Sequence, residues 1–194
     1  MGLISLEHSR AAYRADFALY GSAVVGLAAS LLWWAPASVA TAMAACVAGG
    51  LALWTVLEYV LHRFVLHGVP PFRDWHGEHH HRPRALICAP TVFSAALIAV
   101  LVCLPAWWVA GPWLGGSVSL GVLAGYLAYA VTHHATHHWR LDVAGLRQRK
   151  RWHALHHHRV GPGAHYGVTT AFWDHVFGTA GAPRSAEPAP AQVR

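Results

Sequence analysis

Along this chain hydrophobic and polar positions segregate into long blocks instead of alternating within a turn or a strand. Apolar runs cover residues 17–34, 39–61, 86–109 and 113–132. Each holds about 20 residues, which at roughly 1.5 Å rise per residue crosses about 30 Å of hydrocarbon. The first two runs are separated by little more than Pro36, and the last two by Gly111 and Pro112. The pattern predicts an all-α membrane protein with four transmembrane helices in two hairpins. No small-residue cleavage site ends the first run, so it reads as a retained helix and not as a signal peptide. Polar stretches at 62–84 and 133–179 follow the two hairpins and are expected to form a helical cap. Residues 1–179 then make one integral-membrane domain. Residues 180–194, rich in alanine and proline without periodicity, read as a disordered tail.

Composition sharpens this picture. The chain is 55% hydrophobic and only 11% charged, with mean hydropathy +0.34, whereas a soluble domain carries roughly 25% charged residues. A net charge of +6 and pI near 9.7 do not indicate a nucleic-acid partner, because the basic residues sit at membrane edges and not across a polar face. Arg10 and Arg14 precede the first run, Arg63, Arg73, Arg82 and Arg84 lie between the second and third, and the remaining eight follow the fourth. The positive-inside rule then places both termini and both polar stretches in the cytoplasm, with Trp33, Trp34, Trp107, Trp108 and Trp113 at the opposite interface. Cys46, Cys88 and Cys103 lack CxxC spacing and read as small buried hydrophobes. The small-residue stretches at 45–49 and 121–125 are expected to let helices approach closely. Pro90 and Pro105 either kink the third run or mark its ends.

Candidate chemistry lies in the histidines, of which there are 17. Four groups stand out: His62 and His67; His76, His79 and His80; His133 and His137; His153, His156 and His157. All follow the cytoplasmic ends of the even-numbered spans, so one membrane face receives them. Three of the groups have i, i+3 or i+4 spacing, which puts their rings on one side of a helix. His62 and His67 do not, since five steps of about 100° leave them roughly 140° apart. Either the helix loosens there through a π-bulge, or the two approach different metals, an arrangement that suits a dinuclear site. Imidazole is the commonest protein metal ligand, and ten are too many for one ion. Neutral nitrogen donors suit iron, zinc, copper or nickel, so ligand type leaves the metal open. His134 and His138 share the i, i+4 spacing of His133 and His137, and geometry alone does not choose between them. His8, His165 and His175 read singly as solvated or core side chains.

Taken together, Glu58-Tyr59-x-x-His62-Arg63-Phe64-x-x-His67, His76-x-x-His79-His80, His133-x-x-x-His137-His138 and His153-x-x-His156-His157 resemble the fatty acid hydroxylase and sterol desaturase superfamily of membrane di-iron oxygenases. The stretch from Tyr166 through Trp173-Asp174-His175 to Thr179 looks like the fatty acid hydroxylase branch. The resemblance implies that the ten histidines of the four groups bind two metal ions, and it favours His133 and His137 over their neighbours. His81, His134, His138 and His158 adjoin the proposed ligands and read either as partners that orient them or as an alternative register. The connection from His67 to His76 is shorter than expected for a ceramide or fatty acyl 2-hydroxylase. It is similar to that of carotenoid hydroxylases, which with sterol hydroxylases or desaturases are the alternative assignment. No cytochrome b5 domain is fused to the sequence, so electrons are expected from a separate protein such as cytochrome b5 or a ferredoxin with its reductase.

The chemistry agrees with that likeness. A lipid C–H bond offers neither an acidic proton nor an electrophilic carbonyl, so its hydroxylation calls for O2 activated at a redox metal. Two iron ions are therefore expected, with zinc an inert stand-in because it cannot change oxidation state. Glu58, four residues before His62, is a candidate to orient that ring, against a pairing with Arg63. Asp174 is a candidate to orient a ligand or, preferably, to cap a turn. The run at 147–151 is expected to contact lipid headgroups, with docking of an acidic electron donor as the alternative. A non-catalytic metal-binding membrane protein would need polar ligands along the spans, and these have almost none. Imidazoles bind metal only when neutral, so occupancy is expected to fall below about pH 6.

Overall fold

The computed structural model describes residues 7–158 and 164–181. The expected tail beyond Gly181, with Arg184 and Arg194, lies outside the described residues, as does Arg159. Among the described residues the chain is helical apart from its connections and one isolated bridge between Glu7 and Ile87.

Helix α1 (Arg10–Trp34) begins where the Ser9 hydroxyl accepts from the Ala12 N–H at 3.2 Å. That is about two turns before the hydropathy pattern starts it, because hydropathy marks where lipid contact begins, and Arg10 and Arg14 occupy exposed positions of a helix already formed. Asp16 therefore lies inside the first long helix. A short 3-10 turn (Ala37–Val39) leads into α2 (Ala40–Val60), which continues as a π-helical segment, Leu61–Leu66. Helix α3 (Phe72–His81) follows. Residues 86–90, expected in a span, are instead non-helical, and Pro90 marks the start of α4 (Thr91–Ile98). A second π-helical stretch, Ala99–Cys103, joins α4 to α5 (Leu104–His138). Helices α6 (Ala144–His158) and α7 (Phe172–Val176) complete the chain.

Three helical stretches are long and apolar enough to cross a membrane: Arg10–Trp34, Ala37–Leu66 and Thr91–His138. The third is interrupted at Gly111, whose φ of 71° breaks the helix in a region that favours glycine, just before Pro112. Gly115 then lies against the backbone of Ala106 and Trp107. Residues nine apart cannot meet along one helix, so the two arms of this stretch fold back on each other.

These helices are packed through small residues, with large ones turned outward. Leu32, Trp33, Val92, Leu101, Trp108 and Val109 are exposed, while Gly115, Gly116, Ser117, Ser119 and Gly121 are buried. The most extensive helix contact joins α2 to α5, and it depends on Gly50 and Gly121, whose Cα atoms nearly touch. The expected small-residue packing is therefore present on α5 at Gly121, but on α2 its register is 47–50, since nothing approaches Gly49. The buried serines return their hydroxyls to their own helix, Ser117 to the Trp113 carbonyl at 2.7 Å and Ser119 to that of Gly115 at 2.8 Å. Tyr20, Trp54, Ile98 and Val122 form the core. Leu31 and Trp107 both lie beside Gly116, so the turn after α1 and the break at Gly111 share one end of the bundle. The histidines occupy the other.

Candidate metal centre

The ten histidines singled out by spacing converge into two clusters. His62, His67, His76, His80 and His156 form one, and His79, His133, His137, His153 and His157 the other, with the ligand nitrogens of each within 4.8 Å of one another. In each cluster the imidazoles turn Nε2 inward. His62 and His80 stand 3.0 and 3.1 Å from His76, and His67 is 3.1 Å from His156. In the second cluster His79 is 3.1 Å from His133, and His137 and His157 are 2.8 and 3.1 Å from His153.

The π-helical segment settles the spacing of His62 and His67. Widening the turn brings residues five apart onto one side, and their ring centroids lie 5.3 Å apart in the same cluster. Of the two readings of that spacing, the loosened helix is the one present, and the two rings share a cluster. The division falls elsewhere, inside the boxes on α3 and α6: His76 and His80 join one cluster and His79 the other, and His156 joins one while His153 and His157 join the other.

Two backbone carbonyls orient the rings from behind. His62 Nδ1 is 2.5 Å from the Tyr166 carbonyl, and His156 Nδ1 is 2.7 Å from that of Ala164. A carbonyl accepts only, so each Nδ1 carries the proton and each Nε2 presents its lone pair. The loop bearing these carbonyls is itself tied down. Asp174 accepts from the backbone N–H of Tyr166 and of Gly167 at 2.8 Å, and from the Thr179 hydroxyl at 2.7 Å. Glu58 accepts from the N–H of Val168 at 2.6 Å and of Thr169 at 2.9 Å, and from the Thr169 hydroxyl. Glu58 therefore bonds neither His62 nor Arg63, and reaches the centre only through the loop. Arg63 donates to the Tyr59 hydroxyl at 2.7 Å, and that hydroxyl meets Thr179 at 3.0 Å.

The remaining histidines stand apart. His81 and His158 are exposed. His134 and His138 stack on each other at 4.5 Å, and His134 faces Tyr13, 3.3 Å from its hydroxyl. His165 and His175 pack on Trp152 with centroids 6.0 and 5.8 Å away. The run at 147–151 is not one free patch: Arg147 pairs with Asp142 at 2.7 Å, Arg149 lies over Trp152, and Lys150 donates to the Trp139 and Leu141 carbonyls after α5.

Burial, reinforced by neighbouring imidazoles, keeps the histidines of α3 and α6 that face the clusters neutral. It pushes His79 down to about 2, His80 to about 3 and His157 to about 4. His76, His153 and His156 are likewise held well below the usual imidazole value. Neutral, converging nitrogens are what a metal ion requires. The close Nε2 pairs, at 2.8 to 3.1 Å, would let several donors of one cluster meet on a single ion.

Beside the clusters lies a cavity of about 240 Å³. Phe17, Trp54, Leu66, Phe93 and Leu97 supply apolar walls, and His62, His76, His79 and His133 close its polar end. Both clusters thus face one apolar space.

This is a multi-pass, all-helical membrane protein whose histidine clusters are compatible with a metal site. The chain belongs to the fatty acid hydroxylase family, whose sequence pattern matches residues 47–179, a range that includes all ten histidines. It is 34% identical over 148 residues to a dihydroceramide fatty acyl 2-hydroxylase of Arabidopsis thaliana, covering 69% of this chain and 59% of that protein. To a ceramide very long chain fatty acid hydroxylase of Schizosaccharomyces pombe it is 35% identical over 150 residues, covering 68% and 41%. To the Homo sapiens fatty acid 2-hydroxylase it is 28% identical over 142 residues, covering 67% and 38%. The chain spans about half the length of these curated relatives. No solved structure matches it.

Proposed function

We propose that this protein is a membrane-bound oxygenase that hydroxylates a C–H bond of an acyl lipid, using O2 and electrons from a separate carrier such as cytochrome b5 or a ferredoxin with its reductase. The observation that carries the reading is the apolar cavity closed by histidines of both clusters, His62 and His76 from one and His79 and His133 from the other. It matches a reaction in which a saturated chain must be brought to redox metal.

In this reading the ten histidines hold two iron ions, five to each, and the iron supplies the oxidising power that no side chain has. The protein's own part is positional. The Ala164 and Tyr166 carbonyls fix the tautomer and tilt of His156 and His62, and Glu58 and Asp174 hold the loop that carries those carbonyls. The cavity walls exclude water and align the acyl chain so that one carbon meets both clusters. Residues 1–179 act as one hydroxylase domain with four membrane spans in two hairpins. The fold-back at Gly111 supports two spans within the third apolar stretch, and the arginine distribution supports a cytoplasmic cap and cytoplasmic termini.

The test is turnover by the iron-loaded, reduced protein with acyl lipids under isotopically labelled dioxygen. The expected product gains one labelled oxygen atom; loss of two hydrogens instead would make the protein a desaturase. No oxygen consumption with any lipid extract would overturn the oxygenase reading.

A further inference from the structure

Asp16 is an acidic group that this chemistry leaves unused. It lies on α1, is only 8% exposed, and lines the apolar cavity beside Tyr13 and Phe17. Its Oδ1 is buried with no hydrogen-bond partner. The Nε2 of His8 is likewise buried with no partner. An unmet acceptor on a carboxylate within a membrane-spanning helix is costly, and such groups mark places where a substrate completes the site.

Its height in the bundle is defined by its neighbours. Tyr13, one turn before it, meets His134, and the ring of Phe17 packs against the same imidazole with centroids 5.6 Å apart. Tyr20, one turn after it, bonds Ser94 at 2.8 Å, and its ring lies tilted against that of Tyr126 with centroids 4.3 Å apart. Asp16 therefore stands close to the level of His133, at the histidine end of the cavity, with the apolar walls around Trp54 and Leu97 deeper. A group bonded to Oδ1 would lie within a few bonds of the carbon that faces the clusters.

We propose that Asp16 is a substrate-positioning residue whose Oδ1 accepts a hydrogen bond from a hydroxyl or amide N–H in the head of the acyl lipid. This rests on the lipid-hydroxylase reading and narrows it. The site takes an acyl lipid with a neutral, donor-bearing head, and it repels a free fatty acid, whose own carboxylate would stand beside that of Asp16. The family match begins at residue 47, so α1 and this contact belong to a part of the chain that the family pattern leaves open.

Competition binding tests this without turnover. The full chain in detergent is offered equimolar N-palmitoylethanolamine and methyl palmitate, and bound lipid is counted by native mass spectrometry. The two probes share an acyl chain and a carbonyl and differ in hydrogen-bond donors. The wild type should prefer the amide by about tenfold, the worth of one charge-assisted hydrogen bond in a dry site. Asp16→Leu should bring the ratio close to one without lowering metal content. Asp16→Asn, which keeps the shape and one acceptor oxygen, should retain part of the preference and bind palmitate more tightly than the wild type does. That opposite-sign change would not arise from a structural role, and it carries the test if the leucine variant fails to fold. Equal wild-type affinity for the two probes, or a preference unchanged in both variants, would overturn the proposal. Binding ratios that shift as expected while no bound lipid gains oxygen would uphold Asp16 and count against the oxygenase reading.

Discussion

His79 and His80 are consecutive in the chain, yet their imidazoles, 6.1 Å apart and at 86° to each other, belong to different clusters. His156 and His157 divide in the same way, at 5.8 Å and 88°. Helices α3 and α6 are therefore common to both clusters. His79→Ala and His80→Ala each remove an imidazole from a different cluster while loosening a helix that serves both. Bound metal should fall to about half or less in each variant, with hydroxylation lost. Elemental analysis of the purified variants is the check, and full metal content in either would remove that residue from the ligand set.

Glu58→Ala leaves the buried N–H of Val168 and its neighbour at Thr169 without their acceptor. At about 1–3 kcal/mol for each unpaired group, the variant should lose about 2–6 kcal/mol of stability. Metal affinity should drop about 10- to 100-fold, as when a group supporting a ligand is removed. Thermal unfolding in detergent and metal titration measure the two effects. A normal metal affinity would show that the loop does not need Glu58 to hold His62 and His156.

The pH dependence follows from burial. His79, His80 and His157 are held at about 2, 3 and 4, below the roughly 6.5 of free imidazole. Between these values an unfolded cap takes up protons that the folded cap refuses, so stability is full above about pH 6.5 and declines as pH falls toward about 4. Metal should therefore persist at about pH 5.5 and leave together with tertiary structure near pH 4, a lower window than free imidazole implies. Metal content and near-ultraviolet circular dichroism, followed in parallel, check this. Gradual metal loss centred near pH 6 with the fold intact would mean that the imidazoles are solvated.

Leu97 lines the apolar part of the cavity with Trp54 and Phe93. Leu97→Trp should shorten the space and shift turnover toward shorter acyl chains, with metal content unchanged. A product profile across chain lengths decides it, since an unaltered profile would show that the acyl chain lies elsewhere.

Much of the site was legible because its donors are side chains with helical spacing. His76 and His80, or His153 and His157, announce one face of one helix. What spacing does not encode is the sharing between clusters, since His79 and His156 leave the face of their own box to join donors from elsewhere. The π-helical segment at Leu61–Leu66 carries no special residue and was only one of two ways to read His62 and His67. The carbonyls of Ala164 and Tyr166 were invisible for a simpler reason: every residue has a carbonyl. Asp174 and Glu58, four and more residues from any box histidine they affect, signal that loop only in hindsight. In the membrane region, hydropathy located the apolar runs but placed Asp16 outside the first helix, because a polar first turn and a lipid boundary look alike in sequence.

The shared helices also impose an order on biosynthesis. The first cluster takes donors from the π-helical segment after α2 and its C-terminal cap, from α3 and from α6, and the second from α3, α5 and α6. Synthesis proceeds from the N-terminus, so His62 emerges with nearly a hundred residues still to come before His157. A nascent chain ending before α6 holds neither complete set of donors. A complete set of donors for a metal is thereby assembled only after every apolar stretch has been made.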